Sequence, residues 1–369
     1  MTTGATTVVV GAGHSGFGLA ADIALRGTPV HLLEHPDHAA MLEPLASSNA
    51  IRIRGVRGDG VAQLAAIGSD PSAALAGNRL VLIAVPAYAH DAMAAFLAPH
   101  LDPEHVVVLM PGNAGGALAF RRTVAQSGGP EVTVAEASSF IFACKKDGPD
   151  GVWIRGVKRG LPVGVLPARD TAEVMARLAP LYPELRAAHD VLETSLSNVN
   201  HPAHPPALLL NLARSESSGP DFSFFHEGMT ESVCRLTDVI DEERLSVVRA
   251  LGYPPETTLQ QLIRYYGDQG FGGATYHEAV STTPVHGAVR APASADHRYF
   301  TEDLPYGLVP IVSIGEALGL RLAVTRGLVH VIDAILGSDS FATGRTADAL
   351  GLAGLDAAGM RRFALEGHS

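Results

Sequence analysis

The first residues whose types and spacing suggest chemistry lie in a glycine-rich loop near the start of the chain. The loop consists of Gly11, Ala12, Gly13, His14, Ser15 and Gly16. It follows an apolar run at residues 8–10 and opens a helical pattern that Gly27 closes. In that context Gly11 permits a tight turn, Gly13 lets the backbone approach a pyrophosphate, and Gly16 allows close packing of a helix on a sheet. The N–H groups of the helix N-terminus would face the diphosphate, so the loop predicts a dinucleotide-binding site.

A carboxylate stands at the end of the second predicted strand. Glu34 lies 18 residues beyond Gly16, where an acidic side chain in this type of fold accepts hydrogen bonds from the hydroxyls of the adenosine ribose. The same charge repels a 2′-phosphate, so Glu34 favours NAD over NADP. NADP stays open, because His35 or a distant arginine could accommodate a phosphate. The competing interpretation is that Glu34 is only a solvated residue at a strand end.

Two later strand ends carry proline and glycine. One holds Pro86, and the other holds Pro111 and Gly112 just before Asn113. Ligands of open α/β sheets bind at the carboxyl ends of the strands. We therefore expect Pro86, Pro111 and Gly112 to line the nicotinamide side of the cofactor site. The alternative for each of them is that proline and glycine only form the turn after the strand and contact no ligand.

The densest polar cluster spans residues 195–206. It contains Asn200, His201 and His204 and is followed by an apolar helical pattern at 207–212. A nicotinamide enzyme needs a group that gives or takes a proton, and histidine suits this role because its pKa lies near neutrality. Each histidine could instead cap a helix or form a hydrogen bond within a loop. The residue types alone do not choose between His201 and His204.

A second polar cluster lies downstream, at residues 296–308. Its Asp303 could hold a histidine in the correct tautomer, and its Arg298 could clamp a carboxylate or a pyrophosphate with two hydrogen bonds. Asp303 also stands shortly before Pro305 and an apolar helical pattern, which is typical of a helix N-cap. These two roles are compatible. For Arg298 the alternative is an ion pair at the surface or between domains.

These candidate residues need elements that hold them in place. Short β-branched runs alternate with helical patterns over the first part of the chain, which is typical of βαβ units and a parallel sheet. The predicted strands lie near residues 6–10, 29–33, 51–56, 79–85, 105–110 and 131–136. The runs at 80–85 and 106–109 are continuously apolar, as expected of central strands with helices on both faces. The sequence therefore predicts a Rossmann-type, doubly wound parallel sheet.

Strand signals decay after Glu136. Segments 153–157 and 161–166, joined by the turn-prone residues 158–160, suggest an added hairpin. From about residue 187 the apolar residues recur at helical spacing, most clearly between Val233 and Leu251. The predicted fold class is α/β, with a dinucleotide-binding Rossmann domain at 1–187 and a mostly α-helical substrate-binding and catalytic domain at 188–369. The first polar cluster falls at the junction of these domains, where a cleft would form.

The composition is that of a globular protein and restricts its partners. The chain has 369 residues, of which 47% are apolar, and a formal charge of −11. This acidic balance argues against nucleic acid or an anionic membrane as the main partner. Cys144 and Cys234 form neither a disulfide framework nor a metal motif. The sequence shows no signal-peptide pattern and no apolar run of membrane-spanning length, so we expect a cytoplasmic protein. The apolar pattern at 308–336 could serve as a core or as a homodimer contact.

At this point the sequence resembles the octopine/nopaline (opine) dehydrogenase family, in which an N-terminal dinucleotide domain precedes a helical domain. The resemblance covers most of the chain. Its most specific parts are two motifs: Asn198, Val199 and Asn200 followed by His204 and Pro205, and His297, Arg298 and Tyr299 followed by residues 301–308. The glycine loop and the strand ends at 85–87 and 111–113 support it and occur more widely among related dehydrogenases.

The resemblance implies roles for individual residues. Matching the family's motifs places its catalytic histidine and aspartate on His204 and Asp303. Asn200 resembles the family's substrate-positioning asparagine, and Arg298 resembles its cleft arginine, which meets an anionic group of cofactor or substrate. His201 stands in the same stretch and stays a second candidate in the substrate region. The implied reaction is the NAD(P)H-dependent reductive condensation of an α-keto acid such as pyruvate with the amino group of an amino acid, through an imine.

Two other interpretations compete with this one. A two-domain reductase of a simple keto acid, similar to ketopantoate reductase or glycerol-3-phosphate dehydrogenase, would use a catalytic lysine. Residues 187–369 contain no lysine, which counts against that chemistry in the helical part. A cofactor-binding sensor without turnover is the alternative from a different functional class. Oxidation of NADH that depends on both pyruvate and an amine would separate the three.

Overall fold

The computed structural model describes residues 6–287 and 289–367. Its contacts divide the chain into two compact units. The first contains the residues up to Gly112, then Gly116–Val191 and Leu365–Gly367, and the second contains Asn113–Gly115 and Leu192–Ala364. The division of the chain into domains after residue 187 stays a prediction. A short segment near Asn113 thus belongs to the second unit although its neighbours in sequence belong to the first.

Among the described residues, the strands lie in the first unit. They are β1 (Thr7–Val10), β2 (Val30–Leu33), β3 (Ala50–Gly55), β4 (Gly60–Gln63), β5 (Ala66–Gly68), β6 (Leu80–Ile83), β7 (Val106–Leu109), β8 (Thr133–Ala137), β9 (Phe142–Lys146), β10 (Gly151–Val157), β11 (Leu161–Leu166) and β12 (Leu185–Ala187). One sheet has the order β12-β11-β8-β7-β6-β1-β2-β5, and every neighbouring pair in it is parallel except β8 with β11. A second sheet has the order β4-β3-β10-β9.

The larger sheet follows from the apolar runs of its central strands. All four residues of β1 and all four of β7 are buried, so these strands have packing partners on both faces of the sheet. The strand order changes direction on either side of β1, which is the doubly wound arrangement. The predicted Rossmann-type parallel sheet with a helical C-terminal part is confirmed.

Two details of the predicted strand layout are wrong. The strand expected at 51–56 forms β3 in the four-stranded sheet rather than in the parallel sheet. Its residues alternate between buried Ile51 and Ile53 and exposed Arg52 and Arg54, which suits a sheet with one solvated face. In the parallel sheet the position beside β2 is taken by β5, a three-residue strand too short to give a sequence signal.

The predicted hairpin at 153–166 does not form either. Strand β10 pairs with β3 and β9, whereas β11 pairs with β8 and β12. All six residues of β11 are buried, and this strand lies inside the larger sheet between β8 and β12 rather than beside β10. The turn through Gly160, which has a φ of 60°, carries the chain from one sheet to the other.

The helices begin in the first unit and dominate the second. They are α1 (His14–Leu25), α2 (Pro71–Leu75), α3 (His90–Leu97), α4 (Gly116–Gln126), α5 (Thr171–Leu178), α6 (Val191–Ser195), α7 (Asn200–Ser218), α8 (Glu231–Ala250), α9 (Thr258–Tyr266), α10 (Tyr276–Thr282), α11 (Arg298–Thr301), α12 (Val309–Ala317), α13 (Ala323–Leu336), α14 (Ser340–Thr343) and α15 (Ala357–Glu366). A π-helical turn, Leu304–Leu308, leads into α12. No helix in the described ranges combines the length and the apolar character needed to cross a membrane.

Helix α8 shows how the second unit is held together. The Thr230 side chain caps its first turn by accepting a hydrogen bond from the Val233 N–H, and its apolar residues follow the pattern predicted between 233 and 251. On its inner face the buried Arg244 forms an ion pair with Asp241 and donates to the Leu196 carbonyl at 2.6 Å. This bond ties α8 to the segment that leads into α7, the helix that carries the candidate histidines.

Candidate functional site

The glycine loop has the geometry of a dinucleotide cradle. Gly11 has a φ of 104°, and a Cβ there would lie 2.8 Å from Val85 Cγ1. At Gly16 a Cβ would lie only 1.6 Å from the Gly11 carbonyl oxygen, whereas at Gly13 it would meet no protein atom within 4 Å. Two glycines are thus required by the protein's own packing, and Gly13 leaves open space beside the N-terminus of α1. The residues present therefore fit the diphosphate of a dinucleotide.

Glu34 is more closely tied to the loop than its place in the sequence suggests. Its side chain is buried, with Oε2 accepting a hydrogen bond from the Ala12 N–H at 2.6 Å and Oε1 accepting one from the His35 N–H at 2.8 Å. It is therefore not a freely solvated residue at a strand end. A carboxylate fixed at the end of β2 is the arrangement that recognises ribose hydroxyls.

His14 and Ser15 open the first turn of α1. His14 is exposed, and its Nδ1 accepts a hydrogen bond from the Lys146 N–H at 3.1 Å, while Ser15 is half-buried. The Lys146 ammonium lies 3.8 Å from the centroid of the Phe17 ring in the next part of the same turn. The loop is therefore supported from the β9 side by a hydrogen bond from the Lys146 backbone to the His14 side chain and by a cation–π contact.

The other predicted cofactor residues lie where the strands of the larger sheet end. Pro86 follows β6 and precedes the short turn Ala87–Ala89, and Pro111 follows β7 through a cis peptide bond with Met110. The Gly112 N–H donates to the Ala137 carbonyl at 3.1 Å, and a Cβ at Gly112 would lie 2.5 Å from Glu136. These positions agree with the carboxyl edge of the sheet, and their contact with a cofactor stays a prediction.

The first polar cluster is helical, which the residue pattern did not indicate. Helix α7 begins at Asn200 rather than near residue 207, with Pro205 and Pro206 inside it. Proline inside a helix removes its own N–H donor and crowds the carbonyl one turn earlier, which destabilises the helix. Burial of His201, Ala207 and Leu208 on one side of α7 supports the helix against this loss. The consequence is that His201 and His204 have fixed positions relative to each other.

His204 and Asp303 form a buried pair. The His204 Nδ1 lies 2.8 Å from the Asp303 Oδ2, and only 13% and 8% of the two side chains are exposed. The His204 ring stacks on the Tyr299 ring at a centroid distance of 3.8 Å and an angle of 26°, and Phe224 lies beside both rings. A carboxylate on one ring nitrogen and an aromatic ring on its face hold the imidazole in one orientation.

The Asp303 carboxyl is not a helix cap in the expected sense. Asp303 does stand immediately before the turn Leu304–Leu308, but its side chain makes no capping hydrogen bond there. It meets His204 instead. Burial raises the pKa of Asp303 to about 6, although the neighbouring His201 and Arg298 act in the opposite direction. The carboxyl is therefore ionised at neutral pH and gains a proton in mildly acidic solution.

His201 lies close by but in a different environment. Its ring is fully buried, and its Nε2 lies 3.3 Å from the Asn113 Oδ1. Burial lowers the pKa of His201 to about 4. The ring edge also packs against Gly307, where a Cβ would lie 2.5 Å from the His201 Cδ2. His201 is thus neutral at the pH at which its neighbour would exchange protons.

Arg298 and Asn200 are the remaining predicted residues near the His204–Asp303 pair. Arg298 binds Glu302 through Nε at 2.8 Å and Nη2 at 2.6 Å, yet 57% of its side chain is exposed. Asn200 stands at the start of α7, and its backbone N–H donates to the Asn198 Oδ1 at 3.0 Å. Substrate contacts of Asn200, His201 and Arg298 stay predictions.

Two residues of this region were missed as site residues. Asn113 and Glu302 are both buried, and the Asn113 Nδ2 donates to the Glu302 Oε1 at 3.0 Å. The Asn113 Oδ1 accepts from the Asn198 Nδ2 at 2.9 Å. Asn113 has a φ of 56°, a conformation in which asparagine is enriched, but no sequence pattern points to its partners. Among residues 6–287 and 289–367 there is no group of three or more potential metal ligands.

Comparison with known proteins identifies the family. The family model described as NAD/NADP octopine/nopaline dehydrogenase, alpha-helical domain, matches residues 187–336, and the ketopantoate reductase PanE/ApbA model matches residues 7–165. The chain is 34% identical to an opine dehydrogenase of Arthrobacter sp. (strain 1C), over 96% of this chain and 98% of that protein. It is 28% identical to the protein ocs of Agrobacterium tumefaciens (strain Ach5), over 96% and 97%.

The same likeness holds for the fold. An octopine dehydrogenase solved with NADH and L-arginine superposes with a TM-score of 0.80 at 19% identity, covering 99% of this chain and 98% of that one. The match of the first unit to a ketopantoate reductase model concerns the dinucleotide-binding half, whereas the relative at 34% identity spans both halves. The chain therefore belongs to the octopine/nopaline (opine) dehydrogenase family.

Proposed function

We propose that His204 is the proton-transfer residue of an opine dehydrogenase and that Asp303 is its charge-stabilising partner. The enzyme is an NAD(P)-dependent oxidoreductase of CH–NH groups that catalyses the reductive condensation of an α-keto acid with the amino group of an amino acid, and the reverse oxidation. The observation that carries the assignment of roles is the 2.8 Å contact between the His204 Nδ1 and the Asp303 Oδ2. A general acid or base oriented by a carboxylate is the arrangement that proton transfer coupled to reduction requires.

The cofactor would be held by the first unit. Residues 11–16 would take the diphosphate at the N-terminus of α1, Glu34 would take the adenosine ribose, and Pro86, Pro111 and Gly112 would lie toward the nicotinamide. Bound NAD(P)H supplies the hydride that reduces the imine carbon. The buried carboxylate of Glu34 supports a preference for NAD, because a 2′-phosphate beside it would place like charges together.

The proton balance of the reaction explains the need for the pair. Formation of the imine releases water, and reduction of the imine to a secondary amine takes up one hydride and one proton overall. Because the His204 Nδ1 is engaged by Asp303, Nε2 is the ring nitrogen that would exchange this proton. The Asp303 carboxylate stabilises the imidazolium form of His204, and loses that ability when it is itself protonated.

His204 suits this role better than His201 does. The pKa of His201 is lowered to about 4 by burial, and its Nε2 is engaged by Asn113. A histidine with so low a pKa is a weak base, and its protonated form is scarcely populated at neutral pH, so it is poorly suited to exchange the proton. His201 is therefore not the proton-transfer residue and stays a candidate for substrate binding only, while Arg298 and Asn200 are the side chains we assign to substrate carboxylate and amine.

A reductase of simple keto acids is the second candidate, because the first unit matches a ketopantoate reductase model. Such an enzyme would reduce its keto acid without an amine. The experiment is a matrix of keto acids against amino acids, including pyruvate and L-arginine, with the oxidation of NADH and NADPH followed by absorbance. Oxidation that requires both substrates supports the proposal. Oxidation with the keto acid alone would favour the second candidate, and no oxidation with any combination would favour a cofactor sensor.

The role of His204 is tested by His204→Ala. Removing a general acid or base costs about 10²- to 10⁴-fold in turnover, and NADH binding, measured by fluorescence titration, should not change. The matched control is His330→Ala, since His330 is exposed on α13 in the same unit. Full turnover in His204→Ala would disprove the assignment.

Two further expectations concern the cell and the assembly. We propose that the enzyme works in the cytoplasm, since Cys144 and Cys234 are both unpaired thiols. The homodimer stays a prediction, supported by the exposed apolar residues Val324, Val331 and Ile335 on one face of α13. Size-exclusion chromatography with light scattering measures this directly.

A further inference from the structure

The polar residues around Asn113 form a connected network inside the second unit. The Asn113 Nδ2 donates to the Glu302 Oε1 at 3.0 Å, and Glu302 Oε2 accepts from Arg298 at 2.6 Å. On its other side the Asn113 Oδ1 faces the Asn198 Nδ2 at 2.9 Å and the His201 Nε2 at 3.3 Å. Glu302 is 1% exposed and Asn113 is 4% exposed, so water does not compete for these bonds.

The donor and acceptor roles in this network determine one another. The Glu302 carboxylate, paired with Arg298, can only accept, so the amide group of Asn113 must turn its NH₂ toward it. The Asn113 Oδ1 then faces His201, and an oxygen can only accept. The His201 Nε2 must therefore carry the proton, which leaves Nδ1 unprotonated. This agrees with a buried His201 Nδ1 that has no hydrogen-bond partner among the described residues.

The same network connects the two segments that carry the catalytic pair. Glu302 directly precedes Asp303, and Asn198, just before α7, accepts a hydrogen bond from the N–H of Asn200, the first residue of that helix, at 3.0 Å. Asn113 joins them. His204 lies one turn beyond Asn200 on α7, so a shift of the helix start relative to Glu302 would change the distance between the His204 Nδ1 and the Asp303 Oδ2.

We propose that Asn113 and Glu302 are positioning residues of this enzyme: Glu302 orients the Asn113 amide, and Asn113 holds His201 in its Nε2-protonated tautomer and fixes α7 against the segment that carries Asp303. The proposal rests on the function proposed for His204 and Asp303. In this arrangement His201 stays uncharged beside the His204–Asp303 pair and so does not compete with His204 for the carboxylate. The titratable and charged groups around His201 are Asp303, His204 and Arg244, and a positively charged His201 would compete with His204 for the Asp303 carboxylate.

The first test reads the tautomer in the wild-type protein. In protein labelled with ¹⁵N-histidine, the His201 resonances, assigned by their loss in His201→Gln, should show a protonated Nε2 and an unprotonated Nδ1 at neutral pH. The opposite tautomer, or a doubly protonated ring, would overturn the proposal. This readout does not depend on turnover, so it remains valid if His204→Ala shows that the proposed function is wrong.

The second test exchanges the two partners. Asn113→Asp alone places two buried carboxylates face to face. Glu302→Gln alone puts an amide between Arg298 and the Asn113 amide, and an amide cannot accept from both of them with two oxygens as the carboxylate does. We expect each to lower kcat by about 10- to 100-fold, because small displacements of catalytic groups have effects of this size. In the double variant the new amide at position 302 can donate to the new carboxylate at position 113, while the oxygen of that amide accepts from Arg298. The pattern of donors and acceptors is then restored.

The double variant should therefore recover kcat at least about tenfold over Asn113→Asp, a non-additive result in the double-mutant cycle. It should keep the Nε2-protonated tautomer and raise the pKa of His201, because a carboxylate now accepts that proton. The control is Asn211→Asp, which buries a new carboxyl on α7, the helix that also carries His201. There the Asn211 amide donates to the Ala207 and Gly228 carbonyls. Asn211→Asp should leave the tautomer and pKa of His201 unchanged. Additive losses with no recovery in a folded double variant would overturn the proposal, as would a wild-type kcat and pH profile in Asn113→Asp.

Discussion

The His204 Nδ1 and the Asp303 Oδ2 lie 2.8 Å apart although the two residues are separated by 99 positions in the chain. Tyr299, four residues before Asp303, stacks on the same imidazole ring at 3.8 Å. One short segment thus provides both the carboxylate that meets the edge of the ring and the aromatic side chain that covers its face. The orientation of His204 therefore depends on how α7 packs against the segment from Arg298 to Leu308.

The pH dependence of turnover should report the state of Asp303. Its pKa is raised by burial to about 6, so below that pH the carboxyl is protonated and no longer stabilises the His204 imidazolium. We expect kcat/KM for the condensation to fall as the pH drops through about 6. Asp303→Asn should remove this acid limb and lower kcat by about 10²- to 10⁴-fold at pH 7. The control Asp296→Asn, at an exposed position, should keep the acid limb, and an acid limb that survives in Asp303→Asn would contradict the assignment.

The stability of the folded protein should also depend on the protonation of Asp303. Because the folded-state pKa of Asp303 lies above its ordinary value of 3.8, the contribution of this group to stability is greatest below pH 4 and is lost as the pH rises through about 6. Asp303→Asn removes that dependence. Urea unfolding of the two proteins at pH 5 and pH 7.5 should show a smaller difference between the two pH values in the variant.

Gly307 should be intolerant of a methyl group for a reason that involves His201. A Cβ at Gly307 would lie 2.5 Å from the His201 Cδ2 and 2.8 Å from its Nε2. We expect Gly307→Ala to lower the free energy of unfolding by about 1–3 kcal/mol, the usual cost of overpacking, and to reduce kcat. Gly327→Ala is the control, because Gly327 lies in α13 and the added Cβ would have no contact within 4 Å beyond its own helix backbone. It should leave stability unchanged or increase it by about 0.5–1 kcal/mol. Equal effects of the two substitutions would contradict this explanation.

The two glycines of the loop should separate folding from cofactor binding. Gly16→Ala forces the new Cβ to within 1.6 Å of the Gly11 carbonyl oxygen, so the backbone must move and stability should fall. Gly13→Ala meets no protein atom within 4 Å and should change stability by less than about 0.5 kcal/mol. It should nevertheless weaken NADH binding at least about tenfold, because its methyl group would occupy the space of the diphosphate. NADH fluorescence titration and urea unfolding of both variants check this, and tight NADH binding by Gly13→Ala would place the cofactor elsewhere.

The choice between NADH and NADPH should depend on the charge of Glu34. Glu34→Gln keeps the size of the side chain and one acceptor for the Ala12 N–H, but it removes the charge that would repel a 2′-phosphate. We expect the ratio of the two dissociation constants to shift toward NADPH by about tenfold, equivalent to about 1.4 kcal/mol. Glu43→Gln, at an exposed position in the following turn, is the control for a general change of charge. An unchanged ratio in Glu34→Gln would show that another residue decides between the cofactors.

The parts of this protein that could be predicted from its sequence are those with a local cause. The glycine loop, the apolar central strands and the helical spacing between Val233 and Leu251 each depend on residues a few positions apart, so their patterns predict the elements correctly. The pairing of those elements was less predictable. Strands β3 and β10 lie in the four-stranded sheet, where one face of each strand can stay partly exposed. Nothing in the sequence of either strand indicates which strand it pairs with.

Residue patterns alone predicted a dinucleotide-binding parallel sheet and a helical second half, and the resemblance of two motifs to the opine dehydrogenase family added His204 and Asp303 as members of one candidate site. It took the folded chain to show that His201 is buried against Asn113 and Gly307 while His204 meets Asp303. Both histidines stand in the same short stretch of sequence, and what separates their chemistry is the burial and the hydrogen-bond partners that distant segments bring to each ring. Those partners come from packing between segments about a hundred residues apart, which a local pattern does not contain.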